Sequence, residues 1–208
     1  MNSKYLIKRT VFGAVAVAAV LVAGGAQAAL EDRDLDGDTV VDAFYDTDLD
    51  ITWLRNANVN GGMRWDVAVS WAVDFSFAGY EDWRLPTSDT CTDYNCTGSE
   101  MGHLWYVELG NSAPGPMTNS GDFQNLYAAP PGEYPYGYWS STESGASNAM
   151  FFRMSNGSQL GQSKDDGAYA MAVTNGDVGM VPEPETYALM LAGLAAVGAV
   201  ARRNTRRS

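Results

Sequence analysis

The stretch Gly79-Tyr80-Glu81-Asp82-Trp83-Arg84-Leu85-Pro86-Thr87 packs aromatic, charged and proline residues too densely for an ordinary loop. Trp83 and Leu85 alternate with Asp82 and Arg84. Pro86 ends the alternation, because proline lacks an amide donor and holds the residue before it extended. The reading is a structural hub made of Asp82, Trp83, Arg84, Leu85 and Pro86, to which Trp139 is added from further along the chain.

Upstream of the hub, Met63 to Phe77 sets Ala68, Trp71, Ala72 and Phe75 on one stripe and Asp66, Ser70 and Asp74 on another. That is the spacing of an amphipathic helix, which Gly79 stops, and Trp65 and Trp71 are expected as its apolar anchors. Earlier still, Val40 to Tyr45 and Ile51 to Leu54 are β-prone runs joined by an aspartate-rich turn, which predicts a hairpin.

Downstream, Thr87 to Gly98 is a polar loop, after which Ser99 can cap a helix from Glu100 to Leu109 with Gly110 as its terminator. Met101, Leu104 and Trp105 are expected to face inward. His103 falls outside that stripe and reads as a surface or loop-contacting residue. Gly110 to Gly137 is a long irregular excursion whose Tyr134 and Tyr136, with Tyr138 just beyond, suit either sugar stacking or loop packing. Strands then follow at Tyr138 to Thr142, Asn148 to Met154, Gln159 to Ser163 and Tyr169 to Thr174, with a hairpin signal at Asn156-Gly157. The expected fold is a single loop-rich α+β domain with two early helices and an antiparallel meander.

Both chain ends stand apart from that domain. Lys4, Lys8 and Arg9 precede an apolar run from Val11 to Ala23 and a small-x-small signature, Ala26-Gln27-Ala28, which reads as a signal peptide over 1–28 cleaved before Ala29. At the other end, Val181-Pro182-Glu183-Pro184 is followed by an apolar run over 186–201 and by Arg202, Arg203, Arg206 and Arg207. Its 16 residues give ~24 Å of helix, a marginal span suited to a temporary anchor with the arginines on the cytoplasmic side. Setting aside three basic residues in the leader and four in the tail leaves six of 13, and setting aside Glu183 and Glu185 leaves 23 of 25 acids. The region 29–180 therefore carries −17. Such a domain repels phosphate backbones, which excludes nucleic acid as a partner and disfavours polyanionic glycans.

Cations are the natural counterpart of that charge. Asp32, Asp34, Asp36 and Asp38 alternate around Gly37 in the manner of a calcium loop, although the twelfth position, where such loops place a carboxylate, is Ala43. Calcium is thus a candidate ligand and a solvated acidic turn the alternative. Cys91 and Cys96, the only cysteines, are expected to pair in an oxidising compartment; a zinc site recruiting His103 is the alternative.

The tripartite tail resembles the PEP-CTERM sorting signal of exopolysaccharide-producing Gram-negative bacteria. That resemblance implies recognition by exosortase and cleavage near Pro182 to Pro184, with the domain passing from a membrane-anchored intermediate to the cell surface or matrix. The domain, over about Asp42 to Val178, is similar to the Lcl C-terminal-domain family. The matching residues are Asp50-Ile51-Thr52-Trp53-Leu54, the helix ending at Gly79, Asp82-Trp83-Arg84-Leu85-Pro86-Thr87, Tyr138-Trp139-Ser140-Ser141-Thr142, and the segment from Tyr94 to Leu104. This resemblance implies an extracellular domain related to C-type-lectin-like and sulfatase-modifying-factor folds, with adhesion or matrix binding the role in one well-known member. Many members carry an arginine in the final strand, where this chain has Val173-Thr174-Asn175. The expected function is a non-catalytic surface protein that binds exopolysaccharide or another surface component. The alternatives are a calcium-dependent matrix protein and a glycan hydrolase using Glu81, Asp82 or Glu100.

Overall fold

Every residue of β3 (Ile51–Leu54) is buried, as expected of a central strand covered on both faces. It pairs antiparallel with β2 (Ala43–Asp46), which pairs in turn with β1 (Leu30–Arg33), and on its other side with β7 (Val173–Asn175). The hairpin expected around Asp46 to Asp50 is present. The acidic start of the segment, read as a turn from Asp32, is instead strand β1 up to Arg33.

These strands belong to a computed structural model, which describes residues 30–128, 137–179 and 191–195. Ala26, Ala28 and Ala29, the motif Val181 to Pro184, the arginines Arg202 to Arg207, and Tyr134 and Tyr136 lie outside the described residues. Of the apolar tail, 191–195 is helical, and among the described residues no helix is long and apolar enough to cross a membrane.

A second, three-stranded antiparallel sheet comprises β4 (Tyr138–Glu143), β5 (Asn148–Arg153) and β6 (Ser158–Ser163). Gly157 turns the β5–β6 hairpin with a φ of 79°, in the left-handed region that glycine tolerates. The fourth expected strand of this meander crosses to the other sheet. Tyr169 still bonds to the start of β4, through Trp139 N to Tyr169 O at 2.9 Å, but four residues later Val173 lies against Trp53 of β3. The chain thus makes an α+β domain of two antiparallel sheets with little helix.

Helix α1 (Trp65–Asp74) buries Ala68 and Ala72 against Leu85, Trp139, Ala149 and Phe151. Two small residues on that face let the backbone sit close to the sheet. Trp71 and Phe75 stack at 5.1 Å, and Phe75 meets Trp83 edge-on at 5.9 Å, so the predicted stripe packs, though its aromatic end stays half-buried. The second predicted helix divides: α2 (Glu100–His103) continues into a π-helical turn, Leu104–Glu108. Ser99 caps it as expected, its Oγ accepting from the Gly102 amide, and Met101, Leu104 and Trp105 are fully buried. Tyr138 is also fully buried, its hydroxyl accepting from the Tyr127 amide at 2.7 Å, so it is a packing residue and not an exposed platform.

After β7 the chain folds back over its own sheet. Thr52 Oγ1 donates to Gly176 O at 2.7 Å, and Asp177 forms a two-pronged pair with Arg33 of β1 at 2.6 and 2.9 Å. The Asp177 hydrogen bond holds the Arg33 guanidinium well above its ordinary pKa, against the opposing effect of burial.

Candidate functional site

The hub is a seam between the two sheets. Arg84 exchanges backbone hydrogen bonds with Val173 of β7, at 2.8 and 2.9 Å, while Pro86 O accepts from Ser141 N of β4 at 2.8 Å. Between these ties the side chains alternate as the sequence suggests. Trp83 enters a cluster with Leu35, Ala43, Leu54 and Ala172, and Leu85 enters the one beneath α1. Trp139 joins from β4, its indole donating to Met63 O at 2.9 Å.

Arg84 faces the opposite way and is committed to protein partners. Its guanidinium grips both oxygens of Glu100, at 2.7 and 2.8 Å, in the two-pronged geometry that suits arginine. It also donates twice to Asn175 Oδ1, at 2.7 and 3.1 Å. Glu100 Oε2 further accepts from the Thr87 amide at 2.7 Å, so its carboxylate is fully engaged. The final strand presents Asn175 as an acceptor for Arg84.

Beside this network lies an open cleft of about 610 Å³ lined by Gly79, Tyr80, Glu81, Asp82, Thr174, Asn175 and Val178. Its carboxylates, Glu81 and Asp82, are exposed, and Tyr80 contributes a half-buried aromatic edge. The lining can accept and donate hydrogen bonds, and Tyr80 and Val178 add apolar surface.

At the amino end, Asp34 holds the loop together by accepting from Gly37 N at 2.7 Å and Thr39 N at 2.8 Å. The Thr39 bond is the main cause that keeps its carboxyl below the usual range. Asp36 accepts from Asp38 N, which lowers its pKa, but desolvation and the charges of Asp38, Asp42 and Asp34 outweigh this and raise it. Carboxylate oxygens of Asp34, Asp36 and Asp42 lie within 4.8 Å of one another. Of the four aspartates proposed from sequence, the fold thus gathers Asp34 and Asp36 and recruits Asp42. Asp32 sits on β1 opposite Phe44, and Asp38 caps Val40 N at 2.8 Å.

Cys91 and Cys96 form a disulfide, which takes both sulfurs out of the zinc alternative. The loop they close is docked on β6 by a reciprocal pair of 2.7 Å bonds between Asp93 and Gln159. His103 is the loop-contacting residue that the sequence offered rather than a surface one: its Nε2 lies 3.8 Å from Asp48 Oδ2 of the β2–β3 turn and 3.2 Å from Glu108 Oε1, and only 15% of its side chain is exposed.

Comparison with known families gives a match to the Lcl C-terminal domain over residues 42–174. The chain belongs to the Lcl C-terminal domain family. A PEP-CTERM protein-sorting motif matches residues 181–207. No curated protein matches the chain. The motif makes this Lcl C-terminal domain protein an exported substrate of exosortase, held as a membrane-anchored intermediate before release to the surface.

What sequence reasoning missed in this Lcl C-terminal domain is the grouping of Asp46, His103 and Glu108. In an α-helix, residues five apart point to different sides. The wider π turn, closed by Leu109 N to Leu104 O at 2.9 Å, brings His103 and Glu108 onto one side. Nothing in the local sequence announces that widening.

Proposed function

We propose that the exported domain is a non-catalytic component of the cell surface or extracellular matrix that binds exopolysaccharide in the cleft beside the hub, in adhesion or biofilm. The supporting observation is the cleft itself, whose polar lining is fixed from behind by the Arg84–Glu100–Asn175 network. A sugar chain presents hydroxyls and weakly apolar faces, which Glu81, Asp82, Thr174, Asn175 and the edge of Tyr80 can meet. The acidic lining favours a neutral or amino-sugar polymer over a uronate-rich one. Glu100, a candidate acid or base for glycan hydrolysis, has both oxygens engaged with Arg84 and Thr87, which supports binding over turnover. The same reading divides the chain into a leader over 1–28, the exported domain over 29–180 and the sorting tail over 181–208 of a Gram-negative protein. It also relates the two-sheet, loop-rich fold to the C-type-lectin-like and sulfatase-modifying-factor architectures.

The test is retention of the protein on exopolysaccharide from its own cells, beside neutral, amino-sugar and uronate polymers. Retention should fall about tenfold, ~1.4 kcal/mol, for the pair Glu81→Gln and Asp82→Asn. Equal retention of the variant and the unaltered protein, or retention of neither, refutes binding in the cleft. Capture of a surface protein in place of glycan moves the ligand to that class.

A second reading is favoured by the convergence of Asp34, Asp36 and Asp42: calcium taken up there would stiffen the amino-terminal loop of a structural matrix protein. A calcium-dependent rise in melting temperature that disappears in Asp34→Asn supports it, and no rise excludes it.

A further inference from the structure

We propose that Asp46, His103 and Glu108 form a binding site for a single divalent transition cation, Zn²⁺ by preference, which locks the β2–β3 turn to the π-helical turn. One carboxylate oxygen from each acid and a ring nitrogen of His103 lie within 4.8 Å of one another. Asp46 is fully buried, and the Glu108 side chain has no exposed surface.

Among the described residues, Glu108 Oε2 is buried and has no hydrogen-bond partner. An orphaned carboxylate oxygen in such a place is costly, and native structures rarely leave one without a ligand or ion. Charge leads to the same conclusion. Two buried carboxylates share one imidazole, so even a protonated His103 leaves a net negative charge in the interior. A divalent cation with neutral His103 balances both carboxylates. Burial first, and the charge of Asp46 next, push the Glu108 pKa up in the absence of such a cation, and His103 opposes them only in part.

The donor set selects the metal. One nitrogen and two oxygens suit zinc, whereas calcium takes six to eight oxygens and magnesium dehydrates reluctantly. Tetrahedral donors at about 2.1 Å from zinc stand ~3.4 Å apart; His103 Nε2 and Glu108 Oε1, at 3.2 Å, already meet that spacing, and separations within 4.8 Å leave Asp46 at most roughly 1.4 Å to close. Asp48 Oδ2, 3.8 Å from His103 Nε2 and half exposed, stands where a fourth ligand or a water can complete the shell. Asp46 is already oriented: its Oδ1 accepts from Asp48 N at 3.1 Å and Leu49 N at 3.0 Å, and the Trp53 indole donates to its Oδ2 at 3.4 Å. Such outer partners fix ligand direction in metal sites. The π turn that creates the His103–Glu108 pairing is itself a local irregularity of the kind found at functional positions.

The experiment uses the full chain, without an affinity tag, solubilised in mild detergent and stripped with a chelator. Titration with ZnCl₂ should show one saturable site per chain and raise the melting temperature. Affinity should fall by tenfold or more in His103→Asn and in Glu108→Gln, and stay unchanged in Asp34→Asn. Absence of a one-to-one site overturns the proposal, as does equal affinity in both folded variants or a loss confined to Asp34→Asn. Co²⁺ substitution decides the matter without variants. Visible d–d bands lacking a thiolate charge-transfer band, and displaced by Zn²⁺, support the site; their absence refutes it.

Discussion

Replacing Glu100 with alanine tests whether the hub is a structural tie. The substitution removes two charge-assisted bonds to Arg84 and one from the Thr87 amide. Both side chains are largely covered, at 27% exposure for Arg84 and 14% for Glu100, which places the pair between a surface bridge and a buried one. Breaking a fully buried pair costs about 3–5 kcal/mol, and an exposed one ~0–1 kcal/mol. Arg84 keeps Asn175 and Leu85 O as acceptors, so the lower end of the buried range applies, about 3 kcal/mol. In a chain of this size that corresponds to a fall in Tm of roughly 6–12 °C. Urea unfolding followed by tryptophan fluorescence reads it directly, since Trp83 and Trp139 lie in the adjoining clusters. Glu100→Gln keeps one acceptor and should cost about half as much, and the Arg84→Met, Glu100→Gln cycle should return a coupling of ~1–2 kcal/mol. A loss below ~1 kcal/mol for Glu100→Ala would place the pair among surface bridges and refute the structural tie.

Gly157→Ala should destabilise by about 3 kcal/mol, because it combines a positive φ with a Cβ only 2.6 Å from the buried Trp105 ring; the same urea series measures it. Replacing Cys91 and Cys96 together with alanine should cost ~2 kcal/mol, the loop-closure entropy of so short a ring, and adding reductant to the unaltered protein should lower Tm similarly. Trp83→Ala should cost ~3–5 kcal/mol by opening a cavity among Leu35, Ala43, Leu54 and Ala172, seen as a shifted urea midpoint with unchanged m-value.

The elements legible in the sequence were those fixed by local chemistry. Periodicity gives α1, aspartate turns and Asn156-Gly157 give two hairpins, and Ser99 marks its cap. Alternation in the hub places Trp83 and Leu85 in the core, whereas the place of Arg84, paired with Glu100, could not be read from it. Long-range choices were not legible. Whether β7 continues the meander or crosses to β3 depends on Val173 finding both Trp53 and Arg84, contacts far apart in the chain. Asp42 could replace Asp38 in the acidic loop only once the backbone had folded back on itself. The pairing of His103 with Glu108 was not legible because helical spacing assumes an α-helix, and the π turn changes which residues share a side.

The clamp of Asp177 on Arg33 bears on how the protein leaves the membrane. Gly179, lying close to Leu35 and Arg33, is still seated on the fold, and the sorting motif begins only two residues later. Fully extended, that connection reaches ~7 Å, and the distance from Gly179 to the start of the apolar run at Thr186 is at most about 25 Å. The folded domain therefore ends at most that far from the apolar run, and Val181 to Pro184 lie within this gap. Each residue added between Gly179 and Val181 widens that gap by ~3.5 Å, so the length of this joint acts as a ruler for access to the scissile bond.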